Sequence, residues 1–228
     1  MDPDLIVPDS ELRARLRFET LLADLSSSFI NLTPAEVDHE IEDALRRVCE
    51  LVGIDFAVLW QWSTDDPGVI APTHVYPAPE GMQPAQPLHQ EQYPWSVRQM
   101  LAGRPFAVSS LDELPKEAAV DRESALLSGI RSNLCLPLAV GGGPPVGALA
   151  FNTLQEERDW PDAVVKRLQL VAHVFTNALA RKRHELNLQE SEERLALAAD
   201  SAGAGIWSLD VGTGVFWATE RGLSLIHI

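Results

Sequence analysis

The residues of this chain that could do chemistry are few, and their spacing is wrong for most reactions. Its two cysteines, Cys49 and Cys135, lie far apart and form no C-x-x-C pair. That supports neither a disulfide framework nor a thiolate zinc site, and a reducing compartment is the simple reading. His39, His74, His89 and His173 are scattered and none sits in H-E-x-x-H spacing, so no metal site is indicated. His184-Glu185-Leu186-Asn187 resembles a phospho-accepting motif, which needs an exposed helical His, then Glu, then a nearby Pro. Here Leu188-Gln189-Glu190 follow, so a solvated helical histidine is expected. Ser109-Ser110 has no partner histidine and no G-x-S-x-G elbow. Gly141-Gly142-Gly143 precedes Pro144-Pro145 where a phosphate loop would need Lys-Ser/Thr, so the glycines read as a hairpin turn. Gly203-Ala204-Gly205 precedes a strand where a nucleotide fingerprint would follow one. No catalytic residue is nominated.

Charge narrows the partners. The 228 residues carry a formal net charge of −15. A surface that acidic repels phosphate backbones and anionic membranes, so nucleic acid and membrane surfaces are disfavoured. Met1 to Asp9 has two prolines and three aspartates and lacks the basic start and apolar core of a signal peptide. Leu134 to Leu154 is uncharged, but Gly141 to Pro145 would break a spanning helix in its middle, so two buried strands are expected instead.

The elements that must position any site can be read from periodicity. Phe18, Leu22, Leu25, Phe29 and Leu32 step by four and three, which predicts an amphipathic helix over Ser10–Asn31. Thr33-Pro34-Ala35-Glu36 starts a second helix with a capping box, Val37, Ile41, Leu45, Val48 and Val52 form its core face, and Gly53 ends it. Phe56–Trp62 and Val69–Tyr76 read as strands about the turn Asp65–Gly68. Residues 77–92 read as a loop, Trp95–Leu101 as a short helix and Phe106–Val108 as a strand. The second half of Leu111–Leu127 reads as helical. Leu134–Val140 and Val146–Phe151 make a hairpin, and from Asp159-Trp160-Pro161 a long helix runs to about Asp200. Its near-heptad apolar spacing, highly charged over Arg181–Arg194, suits a two-stranded coiled coil. Gly205–Asp210 and Val215–Trp217 flank Val211–Gly214 as a second hairpin. The order gives an α+β fold, an antiparallel sheet with helices packed on it.

Several stretches in this order carry a family likeness. Ile41–Leu51, Val58–Trp62, Gln99–Gly103, Ser109–Pro115, Leu136-Pro137-Leu138 and Gly147–Asn152 resemble the GAF domains of bacterial sensor kinases. Ser191–Ala198 through Gly205–Asp210 resembles a helical linker entering a PAS domain. The resemblance implies an N-terminal tail over 1–11, a GAF domain over 12–182, a coiled-coil signalling linker over 183–199 and the start of a PAS domain over 200–222. Residues 223–228 resemble the translation of a transposase mosaic-end adapter, and are expected to be an artefact on a chain that continued past Gly222.

By resemblance the fold is a GAF-like cup, and its position-matched pocket residues are Trp60, Tyr76, Trp95, Val108, Ser109, Ile130 and Ser132. Aromatics with a few hydroxyls suit a small, partly apolar ligand. Neither Cys49 nor Cys135 is followed by the His usual at bilin attachment, and the cyclic-nucleotide signature of other GAF domains is absent. Bilin, haem and metal are therefore not indicated. The implied protein is a cytoplasmic sensor of a two-component system, without enzymatic activity in this fragment, relaying to PAS and a histidine kinase core. It would be a homodimer seamed through Leu22, Leu25, Phe29, Phe175 and Leu179. Two alternatives accompany this: a ligand-free dimerisation scaffold, and a free-standing GAF-fold sulfoxide reductase, for which the cysteines are few and in core-like settings.

Overall fold

The structure, a computed structural model, describes residues 9–63, 69–77, 87–202 and 207–218, together with Leu223. The expected turn at Asp65–Gly68, residues 78–86 of the expected loop, Gly203-Ala204-Gly205, the tail to Pro8, residues 219–222 and residues 224–228 lie outside the described residues. The chain divides into two compact units, Met1–Ala180 and Arg181–Ile228.

In the first unit, helix α1 (Asp9–Ser28) leads through a 3₁₀ turn at Phe29–Asn31 to α2 (Val37–Val52). The Thr33 N–H and hydroxyl both donate to Glu36 Oε2, at 2.8 and 2.7 Å. These bonds close a turn, and the helix starts after it, three residues beyond the expected Pro34. Gly53 ends α2 in the left-handed region at φ 70°, its N–H on the Cys49 carbonyl at 2.8 Å.

Six strands follow: β1 (Phe56–Trp62), β2 (Val69–Tyr76), β3 (Leu88–His89), β4 (Phe106–Val108), β5 (Ser132–Leu138) and β6 (Gly147–Thr153). Their order in the sheet is β3-β2-β1-β6-β5-β4, antiparallel at every pairing. Between the strands lie α3 (Pro94–Leu101) and α4 (Ala119–Leu127), with 3₁₀ turns at Leu111–Glu113 and Lys116–Ala118. The β5–β6 hairpin is shifted towards residues 132 and 153 relative to expectation, because Gly141 and Gly142, at φ 56° and 75°, sit in a wide turn closed by Val146 N–H on Leu138 O at 2.7 Å. Gly147 is required: a Cβ there would sit 2.0 Å from the Trp60 carbonyl oxygen.

Alternation gives the sheet two faces. On one, Ala57 and Leu59 of β1, Leu134, Leu136 and Leu138 of β5, and Leu149 and Phe151 of β6 meet α1, α2 and the start of α5 (Asp162–Ala202). This is the main core, and each fully buried Leu or Phe in it contributes roughly 1.5–3 kcal/mol. The expected dimer seam is corrected here. Leu25, Phe29, Phe175 and Leu179 are buried within the protomer core, Phe29 and Phe175 with ring centroids 5.8 Å apart, and Leu22 packs against the same cluster. The four-three spacing is real, but the surface it covers belongs to the same chain.

The second unit contains the rest of α5 and an antiparallel pair, β7 (Trp207–Leu209) and β8 (Phe216–Ala218). The Asp210 carboxylate accepts the N–H groups of Gly212 and Thr213 at 2.8 and 3.0 Å, and Gly214 takes φ 70°, which forms the hairpin turn.

Candidate functional site

The other face of the sheet is not filled by helices. Phe56, Val58 and Trp60 alternate along β1, Asn133 and Cys135 along β5, and Ala150 and Asn152 along β6, and together they floor a cavity of about 120 Å³. Met100 and Val97 of α3, Phe106 and Val108 of β4, and Ala125 of α4 enclose it. Pro94 at the start of α3 suits a helix N-terminus. The N-terminal N–H groups of α3 are satisfied from another element: the Asp121 carboxylate of α4 accepts from Trp95 N at 3.0 Å and Ser96 N at 2.7 Å. Asp121 is 2% exposed and lines the cavity, so one residue ties the two lid helices together at the cup.

The lining is otherwise apolar, apart from Ser96, the Tyr93 hydroxyl, which approaches Ser128 Oγ at 3.4 Å, and an amide pair. Asn133 Nδ2 donates to Asn152 Oδ1 at 2.7 Å across β5 and β6. Burial pushes the Tyr93 phenol up and the Cys135 thiol up to about 12. Among the described residues no Lys, Arg or His lines the cavity. The space can therefore hold a small, mostly apolar molecule and hydrogen-bond one polar edge, and it holds no activated nucleophile. Cys49 sits in the main core across the sheet, its thiol also pushed up to about 12 by burial, so the two cysteines occupy opposite faces.

Of the seven residues expected to line a pocket, Trp60, Val108 and Ile130 do so. Trp95 stands behind the wall, edge-on to Phe106 at 4.9 Å. Tyr76 lies on the helix face, the register partner of Ala57, with its hydroxyl on Glu50 Oε1 at 3.3 Å. A bulge causes this. Leu59 pairs with His74 but Trp60 with Pro72, and the extra residue turns Tyr76 to the opposite face from Ile70. Ser132 shares parity with Leu134, not with Asn133. It is wholly buried, its hydroxyl donating to Ser109 O and accepting from Arg158 N, each at 2.6 Å. Ser109 thus contributes backbone, its own N–H on Glu113 Oε2 at 2.9 Å. Asp121, Asn133 and Asn152 were missed. The Asn residues alternate with the apolar run Leu134, Leu136, Phe151, which was the available sign that they face away from the helices.

Solved structures share this architecture. The GAF domain of a protein assigned as a sensor histidine kinase from Pseudomonas syringae pv. tomato matches at 19% identity and TM-score 0.54, covering 78% of this chain and 97% of that one. The phycocyanobilin-bound GAF domain of a cyanobacterial phytochrome matches at 14% identity and TM-score 0.60, covering 74% and 96%. Free methionine-R-sulfoxide reductase from Neisseria meningitidis matches at 14% and 0.58, covering 79% and 96%. Likeness at such identity establishes the fold alone. No curated protein matches the chain. Residues 36–179, the sheet with α2 and the first part of α5, match the family model of the GAF domain, and the chain belongs to the GAF domain family.

Proposed function

We propose that this chain is the sensory part of a cytoplasmic two-component signalling protein, with a GAF cup that binds a small ligand. A relay would run through residues 183–199 to a PAS domain beginning within 200–222, and on to a histidine kinase output further along the parent chain, of which residues 223–228 would be no natural part. GAF domains are sensory and regulatory modules of signalling proteins, generally non-catalytic. The Pseudomonas neighbour and the β7–β8 hairpin that follows α5 support the rest of the reading. The observation that carries it is the cup itself, a cavity of about 120 Å³ walled by Trp60, Phe106 and Met100 on the sheet face away from the helices. No helix is long and apolar enough to cross a membrane among the described residues.

The cup also separates this reading from its rivals. A ligand-free scaffold has no reason to keep such a space open. A four-ringed bilin, as in the phytochrome neighbour, exceeds a volume on the scale of the ~150 Å³ apolar cavity that admits benzene. Sulfoxide reduction by paired cysteines fits poorly with two protonated thiols on opposite sheet faces. The homodimer belongs to the same proposal, its contact falling on side chains the protomer leaves uncovered.

Thermal-shift measurement with a set of ring-sized fragments tests the sensor reading. Some fragments are expected to raise Tm in proportion to ln(1 + [L]/Kd). The shift should vanish in Ala150→Phe, which plants a ring on the cup floor. A set in which none stabilises the protein at millimolar concentration would favour the scaffold.

A further inference from the structure

The floor of the cup carries an unused hydrogen-bonding edge. Asn133 and Asn152 are register partners on β5 and β6, and their mutual bond uses one N–H of Asn133 and the oxygen of Asn152. A primary amide has two N–H donors and one acceptor oxygen. Asn133 keeps its second N–H, and the two atoms left wholly unused are the Asn133 oxygen and the Asn152 amide nitrogen, neither of which has a partner among the described residues. Exchanging O and N in both side chains leaves the same offer, one acceptor beside one donor. Trp160 Nε1 is the one side-chain polar atom of the described residues that is both sealed and unpartnered. Neither free amide atom is sealed in this way, and the cup is the space that their residues line. Asn152 is only 3% exposed, so its free N–H is left to what the cup holds, water or ligand.

Charge restricts what can fill that edge. Among the described residues the one carboxylate side chain in the lining is that of Asp121, and both its oxygens already accept N–H groups of α3. No cationic side chain lines the cup among the described residues. A ligand carboxylate or phosphate would be desolvated beside the Asp121 carboxylate with no cationic side chain in the lining, and an amidinium has only donors and offers no acceptor to the Asn152 amide. The walls, Trp60, Phe106 and Met100, favour a flat apolar body, and the volume takes about one six-membered ring with a short substituent.

We infer that the cup selects an uncharged planar ligand of about one ring that presents a carboxamide-type edge to Asn133 and Asn152. This rests on the reading of the cup as a ligand site. The ligand's carbonyl accepts from the Asn152 amide and its N–H donates to the Asn133 oxygen, while the ring lies against the aromatic wall.

Isothermal titration of the full chain at pH 7 with the near-isosteric series benzamide, benzoate and benzamidinium, with toluene as the apolar reference, tests it. Benzamide is expected to bind at least tenfold more tightly than benzoate and than benzamidinium. Asn152→Leu should abolish that preference while toluene still binds. Asn152→Asp, which keeps the shape but loses the donor, should lower benzamide affinity at least tenfold. Benzoate binding as tightly as benzamide, or benzamidinium binding more tightly, overturns the inference. Toluene binding without benzamide binding overturns the ligand class but leaves the cup as a site. Failure of all four compounds removes the ligand-site reading as well.

Discussion

At the scale of single residues, Cys49 and Cys135 show how placement alone sets chemistry. Each thiol is pushed up to about 12, Cys49 chiefly by burial with help from Glu50 and Asp55, Cys135 by burial alone. An unfolded-chain thiol titrates near 8.5. Above that pH the unfolded chain loses both protons and the folded chain keeps them, so stability falls as pH rises towards 12. The loss is roughly 1 kcal/mol per pH unit per thiol. Below about pH 8 the thiols contribute no slope. Urea unfolding at pH 8 and pH 10 should therefore cost the natural chain more than a Cys49→Ala/Cys135→Ala double variant, in which tyrosine and lysine titrations cancel. Equal losses in the two proteins would contradict the burial assigned to the thiols. The sequence already placed both cysteines in apolar settings. It left unread that they fall on opposite sheet faces, because that depends on which strand and helix each joins.

At the scale of elements, the helical seam is the informative difference between pattern and fold. Periodicity located α1 and the start of α5 closely, and it put Leu25 and Phe29 on an apolar stripe of the first helix and Phe175 and Leu179 on one of the last. Periodicity says that a stripe is buried, and it is silent on whether the covering surface lies in the same chain. Leu25 is fully buried within the protomer, so Leu25→Ala should lower stability by about 2–5 kcal/mol without changing the sedimentation coefficient of the folded protein. A variant that keeps its stability but drops from dimer to monomer would restore the intermolecular seam. Strands β1, β2 and β4 were legible to the residue because aromatic and β-branched runs bounded them. Tyr76 was not legible as a helix-face residue, since the bulge opposite Leu59 and Trp60 reverses the alternation within β2. The cup residues on α3 and α4 were not legible either. Asp121 becomes part of a site only when the chain brings α4 against the N-terminus of α3, 25 and 26 residues away in sequence from Ser96 and Trp95.

At the scale of the whole molecule, one antiparallel sheet has two differently used faces. Helices α1, α2 and α5 cover one, and the short lid elements leave a space over the other. The order of elements made the GAF family readable from sequence and, by resemblance, a cup with Trp60, Val108 and Ile130 in its lining, whereas the rest of the lining did not show, because it comes from segments scattered between Phe56 and Asn152. In the proposed sensor a ligand entering the cup acts on strands whose reverse side holds α5, so adjacent residues of β1 such as Ala57 and Val58 report to opposite sides of one layer. The most direct measurement of this division is methyl NMR under xenon pressure, since xenon enters dry apolar cavities. Shifts are expected at Val58, Ile70, Val97, Val108 and Ile130, which line the cup, and not at Leu45, Leu138 and Leu168 in the helix-side core. Equal shifts in the two sets, or none at the cup methyls, would contradict the account of an open ligand cup on one face of a closed core.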